Sequence, residues 1–166
     1  MHELLFNNLT DFKVDDFKKL YYDIFESAVK KMEIDKNLSF SINFIDENEA
    51  RNMNINYRNK DYIPDVLSFN IDTSYNPEYQ AEDNQVELGD IFICQEEAQR
   101  KALRYNHTLR EEMAFLFIHG FLHLMGFDHE LSQEEEEKMF HYQDQILKEI
   151  GIEYKITFDE QDYLRG

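Results

Sequence analysis

The sequence predicts an α+β fold: one domain in which a small mixed sheet of about four strands packs against about five helices, with a metal-binding helix at its centre. Three observations lead there. The order of predicted elements, βα, βα, ββ, ααα, alternates only locally and lacks the steady β-α-β rhythm of a doubly wound sheet. The chain has 166 residues, enough for one real core and short for two. It is 42% hydrophobic and 14% aromatic, richer than a disordered chain, and its 5 glycines and 2 prolines favour long elements with few sharp turns.

Taken in order, Leu4–Asn7 reads as a short first strand. From Asp15 to Met32 the apolar residues Phe17, Leu20, Tyr21, Ile24, Phe25, Ala28, Val29 and Met32 recur at the spacing of one helix face. Leu38–Ile45 sets Leu38, Phe40, Ile42 and Phe44 against Ser39, Ser41 and Asn43, the alternation of a half-buried strand. Asp46 is placed to cap a helix reaching about Tyr57, with Glu49 three residues on. Val66–Asn70 and Glu87–Cys94 read as two further strands, joined by a polar loop over Ile71–Val86. Gln95–Asn106 is the next helix. Thr108 and Glu111 form a capping box that opens a helix to about Met125, and Gly126 stands where helices commonly leave through a left-handed residue. Ser132 and Glu135 open the last helix, which Gly151 ends near Ile150. The run Glu134–Glu137 is its solvated first turn, where acids suit the helix dipole.

No stretch reaches the 18 consecutive apolar residues of a membrane span, and Met1–Thr10 lacks the basic and apolar regions of a secretory signal. A single cysteine, Cys94, makes no internal disulfide and fits a reducing cytosol, so a cytoplasmic location is expected. The 17 basic residues against 35 acidic ones give a net charge of −18, which argues against tight non-specific binding of duplex nucleic acid. The acids concentrate at Glu130, Glu134–Glu137, Asp144 and Glu149. Residues 51–60 carry Arg51, Arg58 and Lys60 with no acid, a basic strip that suits a single strand.

The chemistry centres on His119-Gly-Phe-Leu-His123-Leu-Met-Gly126-Phe-Asp-His129. Two histidines four apart on a helix differ by about 40° of rotation and about 6 Å of rise, so they share a face. Gly126 lets the chain turn and return His129 to the same point. Three imidazoles suit one zinc ion and leave a fourth position open, the layout of a catalytic site. The competing reading, core histidines, leaves polar rings on a helix that is apolar almost all round, at a cost of a few kcal/mol. Cys94 as a fourth ligand gives way to a buried, inert thiol. His2, His107 and His141 lack this spacing and read as surface or helix-end residues. The register also matches the metzincin pattern HExxHxxGxxH, but Gly120 stands where that pattern has its Glu general base, which argues against a peptidase.

The block HGFLHLMGFDH resembles the YbeY family signature HGxLHLxGYDH, with Phe127 for Tyr. Asn56–Asp61 followed by Asp65–Phe69 resembles that family's YRGKDxPTDVLSF, and Leu88–Cys94 its LGDIVIC. The three blocks stand in family order over nearly the whole chain. Two positions depart: Asn59 replaces Gly, and Ile63-Pro64 replaces Pro-Thr. The resemblance implies a single-strand-specific, zinc-dependent endoribonuclease acting in 16S rRNA 3′-end maturation and ribosome quality control. It implies one catalytic domain spanning 1–166, with the ribosome or a ribosomal subunit as partner and neither membrane nor DNA. It assigns His119, His123 and His129 as metal ligands and Arg58 as the residue that meets phosphate, a role suited to a guanidinium's paired hydrogen bonds. Lys60 would add a point charge. Asp128 would orient an imidazole or act as a base, its alternative being a turn residue. Tyr57, Tyr62 and Phe127 are candidates for base stacking, with core packing the alternative. Two other functions fit the same residues: a peptidase or amidase using the three-His site, and a ribosome-associated binding protein whose metal is structural.

Overall fold

The computed structural model describes residues 1–71, 85–127 and 132–154. Its elements are β1 (Glu3–Asn8), α1 (Asp15–Lys31), β2 (Asn37–Ile45), α2 (Glu47–Arg58), β3 (Val66–Asn70), β4 (Gln85–Cys94), α3 (Gln95–Tyr105), α4 (Leu109–Leu124) and α5 (Gln133–Glu149). The expected α+β class and element order are therefore observed, with ends moved by one or two residues. Most of the loop expected at 71–86 lies outside the described residues.

The strands form one mixed sheet in the order β1-β2-β4-β3. β1 and β4 run parallel to β2, and β3 runs antiparallel to β4. The parallel pair β1/β2 is bridged by α1, as parallel neighbours require. Because side chains alternate along a strand, the two faces bury different sets. Ile91 and Ile93 of β4 join Phe40, Ile42 and Phe44 of β2 in the main core, beneath α1, α4 and α5. Cys94, Ile45 and Leu67 point the other way and form a smaller cluster with Ala50 and Met53 of α2. β2 is thus more buried than the expected one-faced strand. It is an interior strand, and α2 covers its end at Ile45, which is 2% exposed. Asn43 is also buried and is satisfied by bonds to the Ser41 hydroxyl, the Ile91 carbonyl and the Asn7 amide.

The capping signals act as local chemistry dictates. Asp46 accepts from the Glu49 amide, and Ser132 from the Glu135 amide. At Thr108 both halves of the capping box form. Gly89 (φ +132°) marks a register shift between β2 and β4, and a Cβ there would meet the Phe69 carbonyl oxygen at 2.0 Å. The sheet therefore admits only glycine at this point of the Leu88–Cys94 block.

Candidate metal centre and its surroundings

α4 is buried nearly all round, with Met113–Leu122 all inside. Its buried polar side chains Glu112 and His119, with Phe115 between them and the half-buried His123, are spaced three and four apart so that they stack along one side of the helix. α5 and the segment after it lie against that stripe. His119 is 3% exposed. Its Nδ1 lies 2.8 Å from Oε1 of Gln143, and its Nε2 lies 3.0 Å from Nε2 of His123. The two rings are 4.5 Å apart and nearly perpendicular, at 81°.

The proton positions follow from the partners. An amide oxygen only accepts, so Nδ1 of His119 carries the hydrogen and donates it to Gln143, leaving a lone pair on Nε2. The facing Nε2 of His123 then donates to that lone pair. A metal-ligating histidine commonly has this same arrangement, one nitrogen tied to an oxygen and the other presenting its lone pair. The donor set therefore fits a divalent ion of zinc type: two imidazole nitrogens converge, one already in the required tautomer. Among the described residues no group of three or more such donors comes together. His129, the expected third ligand, and Asp128 lie outside the described residues.

Gln143 was not foreseen. It is 3% exposed, and its Nε2 has no hydrogen-bond partner among the described residues. A signal existed in the sequence: Met139, Gln143, Ile146 and Leu147 are the buried face of α5, so a polar residue occupies a helix position that the period assigns to the core. Gly120 also finds its reason here. An added Cβ would lie 3.1 Å from both Ile91 Cγ2 and Ser68 Oγ, and the Ser68 hydroxyl donates to the Gly120 carbonyl at 3.3 Å. Position 120 thus faces the sheet, and glycine lets α4 approach β3 and β4.

Arg58 is the last residue of α2 and is half-buried; Lys60 is exposed. Between them Asn59 takes a left-handed conformation (φ 58°, ψ 37°), which accounts for glycine as the usual residue there; asparagine tolerates it best among the others. Ile63 packs against the smaller cluster, which accounts for an apolar residue in that departure from the family pattern. Tyr57 is 70% exposed and meets Phe69 edge-on at 5.5 Å, so core packing does not describe it. Phe127 is half-buried and packs edge-on against Tyr142.

His107 proved more buried and better held than its spacing suggested, while Cys94 is the buried thiol that was expected. The side chain of His107 is 7% exposed, and its Nδ1 lies 2.7 Å from Oε1 of Glu112, itself 1% exposed. The Tyr154 hydroxyl donates to both Glu112 oxygens, at 3.2 and 3.1 Å. Burial raises the Glu112 carboxyl above its ordinary range, while the bonds from His107 and Tyr154 pull it down. Cys94 is buried on the α2 side of the sheet, and burial pushes its thiol up to about 11.

The family model "Endoribonuclease YbeY" matches residues 5–151. The chain belongs to the YbeY family. Relatives named Endoribonuclease YbeY include one from Mesoplasma florum, 49% identical over 95% of this chain and 92% of its own length. Another, from Mycoplasma capricolum, is 44% identical over 100% of this chain and 99% of its own. The fold also matches the solution structure of TM1509 from Thermotoga maritima, with a TM-score of 0.57 and 26% identity, covering 88% of this chain and 91% of that one. The expected fold class and the three sequence blocks agree with this membership.

Proposed function

We propose that this chain is a metal-dependent endoribonuclease specific for single strands, acting on ribosomal RNA at the 3′ end of 16S rRNA and in ribosome quality control. Endoribonuclease activity follows from the family; strand preference, metal and target are the finer reading. The observation that carries it is the His119–His123 pair, with the His119 tautomer set by Gln143. His119, His123 and His129 would hold one zinc ion. Zinc, when bound there, supplies Lewis acidity that acidifies water and polarises a phosphoryl oxygen.

The chain's own residues supply the rest. Gln143 holds the hydrogen of His119 on Nδ1, so that Nε2 carries the lone pair a metal would take. Arg58 would hold the scissile phosphate through paired hydrogen bonds, with Lys60 as an added charge. α2 and α4 cover opposite faces of the sheet, so this meeting of Arg58 with the imidazoles has to be made past the rim of the sheet. Asp128, next to His129 in sequence, would orient an imidazole or take a proton. Gly120 offers no carboxylate to take a proton from water at the position where the peptidase pattern has its Glu, which supports the nuclease over the peptidase reading. No helix among the described residues is long and apolar enough to cross a membrane. A cytoplasmic location, the ribosome as partner and 1–166 as one catalytic domain complete the proposal.

The test is cleavage of an end-labelled single-stranded RNA by purified protein, stripped of metal and then given zinc, beside Arg58→Ala and His119→Ala prepared identically. Cutting by the wild type only with zinc, and by neither variant, supports the proposal. Equal cutting by all three marks a contaminating nuclease and favours a binding protein with a structural metal.

A further inference from the structure

The buried Glu112 and its half-buried partners His107 and Tyr154 play no part in the site as described so far, yet Glu112 lies on the same stripe of α4. Tyr154 follows α5, beyond Gly151 (φ +80°) and the buried Ile152. Its ring stacks on Phe115 at 4.1 Å with an interplanar angle of 6°. Phe115 in turn stacks on His119 at 5.3 Å and 25°. The hydroxyl end of Tyr154 is tied to both oxygens of Glu112, and Glu112 is held by His107 at 2.7 Å. Each ring in this column therefore has its plane set by the one before it.

We infer that Tyr154 is a positioning residue for His119, acting through Phe115. This rests on the proposed function, since it assigns His119 a working role. An imidazole has two degrees of freedom to lose before its nitrogens point in fixed directions. Gln143 and His123 hold the ring at its edge, through Nδ1 and Nε2, and edge bonds restrain rocking of the face less than a contact on the face itself does. The face contact from Phe115 stops that rocking, and Phe115 is itself clamped from behind by Tyr154. Displaced aromatic faces hold each other at such separations by offset stacking. The Glu112 carboxylate fixes the far end of the column, so the segment following α5 reaches the site without touching it. A residue placed this way acts on ligand orientation, where small misplacement weakens a metal site or slows chemistry.

The experiment reads His119 directly. Nitrogen-edited NMR of the imidazole region is recorded on the full metal-free chain, for wild type, Tyr154→Phe, Tyr154→Leu and Phe115→Leu. His119→Ala and Gln143→Leu assign the Nδ1–H signal, and melting temperatures are measured alongside. Wild type is expected to show a slowly exchanging His119 Nδ1–H. Tyr154→Phe, which keeps the ring and loses the hydroxyl, should melt lower yet keep that signal. Tyr154→Leu, which keeps apolar bulk and loses the ring, should exchange it at least about tenfold faster, and zinc affinity should fall about tenfold, as for other supporting contacts. If Tyr154→Leu does not fold, Phe115→Leu carries the same expectation. An unchanged signal in the folded leucine variants overturns the inference, as does a loss that follows the melting temperature across all variants, Tyr154→Phe included. Failure of the wild type to bind zinc would overturn the metal assignment instead, and the metal-free spectra would still decide the role of Tyr154.

Discussion

Replacing Gln143 with leucine separates metal binding from stability. The substitution removes the oxygen that accepts from His119 Nδ1 at 2.8 Å. A buried donor left without a partner costs about 1–3 kcal/mol. The same substitution deletes the amide Nε2, which is buried and has no partner among the described residues, so a cost of the same kind is relieved. Leucine also suits the buried stripe Met139, Ile146 and Leu147 around it. The net change in folding free energy should stay within about 1 kcal/mol, or roughly 2–4 °C in melting temperature for a chain of this size. Zinc affinity should fall far more. Without the oxygen, His119 can carry its proton on Nε2 and donate it to His123 Nε2, 3.0 Å away, so that His119 Nε2 no longer has a lone pair for a metal. Loss of such a supporting partner typically weakens binding about 10–100-fold, equivalent to about 1.4–2.7 kcal/mol. Gln143→Glu keeps an acceptor on Nδ1 and should retain affinity. Zinc competition against a chromophoric chelator, with thermal melts of the metal-free proteins, reads both quantities. Leucine at 143 with native zinc affinity would refute the tautomer argument, and a melting temperature lowered by 10 °C or more (about 3 kcal/mol) would refute the stability balance.

Three further outcomes are expected. Asn59 holds a left-handed turn, so Asn59→Ala should cost about 1 kcal/mol in denaturant unfolding while Asn59→Gly costs less or stabilises; equal losses would mean that the side chain and not the backbone matters. Cys94, buried with its thiol raised to about 11, should resist alkylation at neutral pH in the native chain and react on unfolding, and rapid native labelling would contradict the burial. The Glu112 carboxyl is raised above its ordinary 4.5, so its contribution to stability is fullest below that value and is lost as pH rises through the higher folded value. Glu112→Gln should remove that falling segment from a profile of stability against pH, and an unaltered profile would show that Glu112 does not titrate on folding.

Much of the chain was legible because the signals were local. The helical face of Asp15–Met32, the caps at Asp46, Thr108 and Ser132, and the left-handed Gly126 (φ +98°) each depend on residues within a few positions, and the structure places them there. The four-residue spacing of His119 and His123 belongs to this class, since the geometry of one helix turn suffices to bring the rings together. Tyr57 and His107 misled because exposure at a helix end is decided by what packs against it, and no neighbour in sequence announces that.

The sequence by itself determined the element order, the helix ends and the pairing of two imidazoles, because backbone geometry and capping act over one turn. Only the tertiary structure decided the strand order β1-β2-β4-β3, the opposite faces taken by α2 and α4, and the partners of His119. Gln143 stands 24 residues from His119, and Tyr154 stands 42 from Glu112. Such contacts arise when buried polar groups must be satisfied by whatever the packed core brings within reach, and that is set by the whole fold and not by any local pattern.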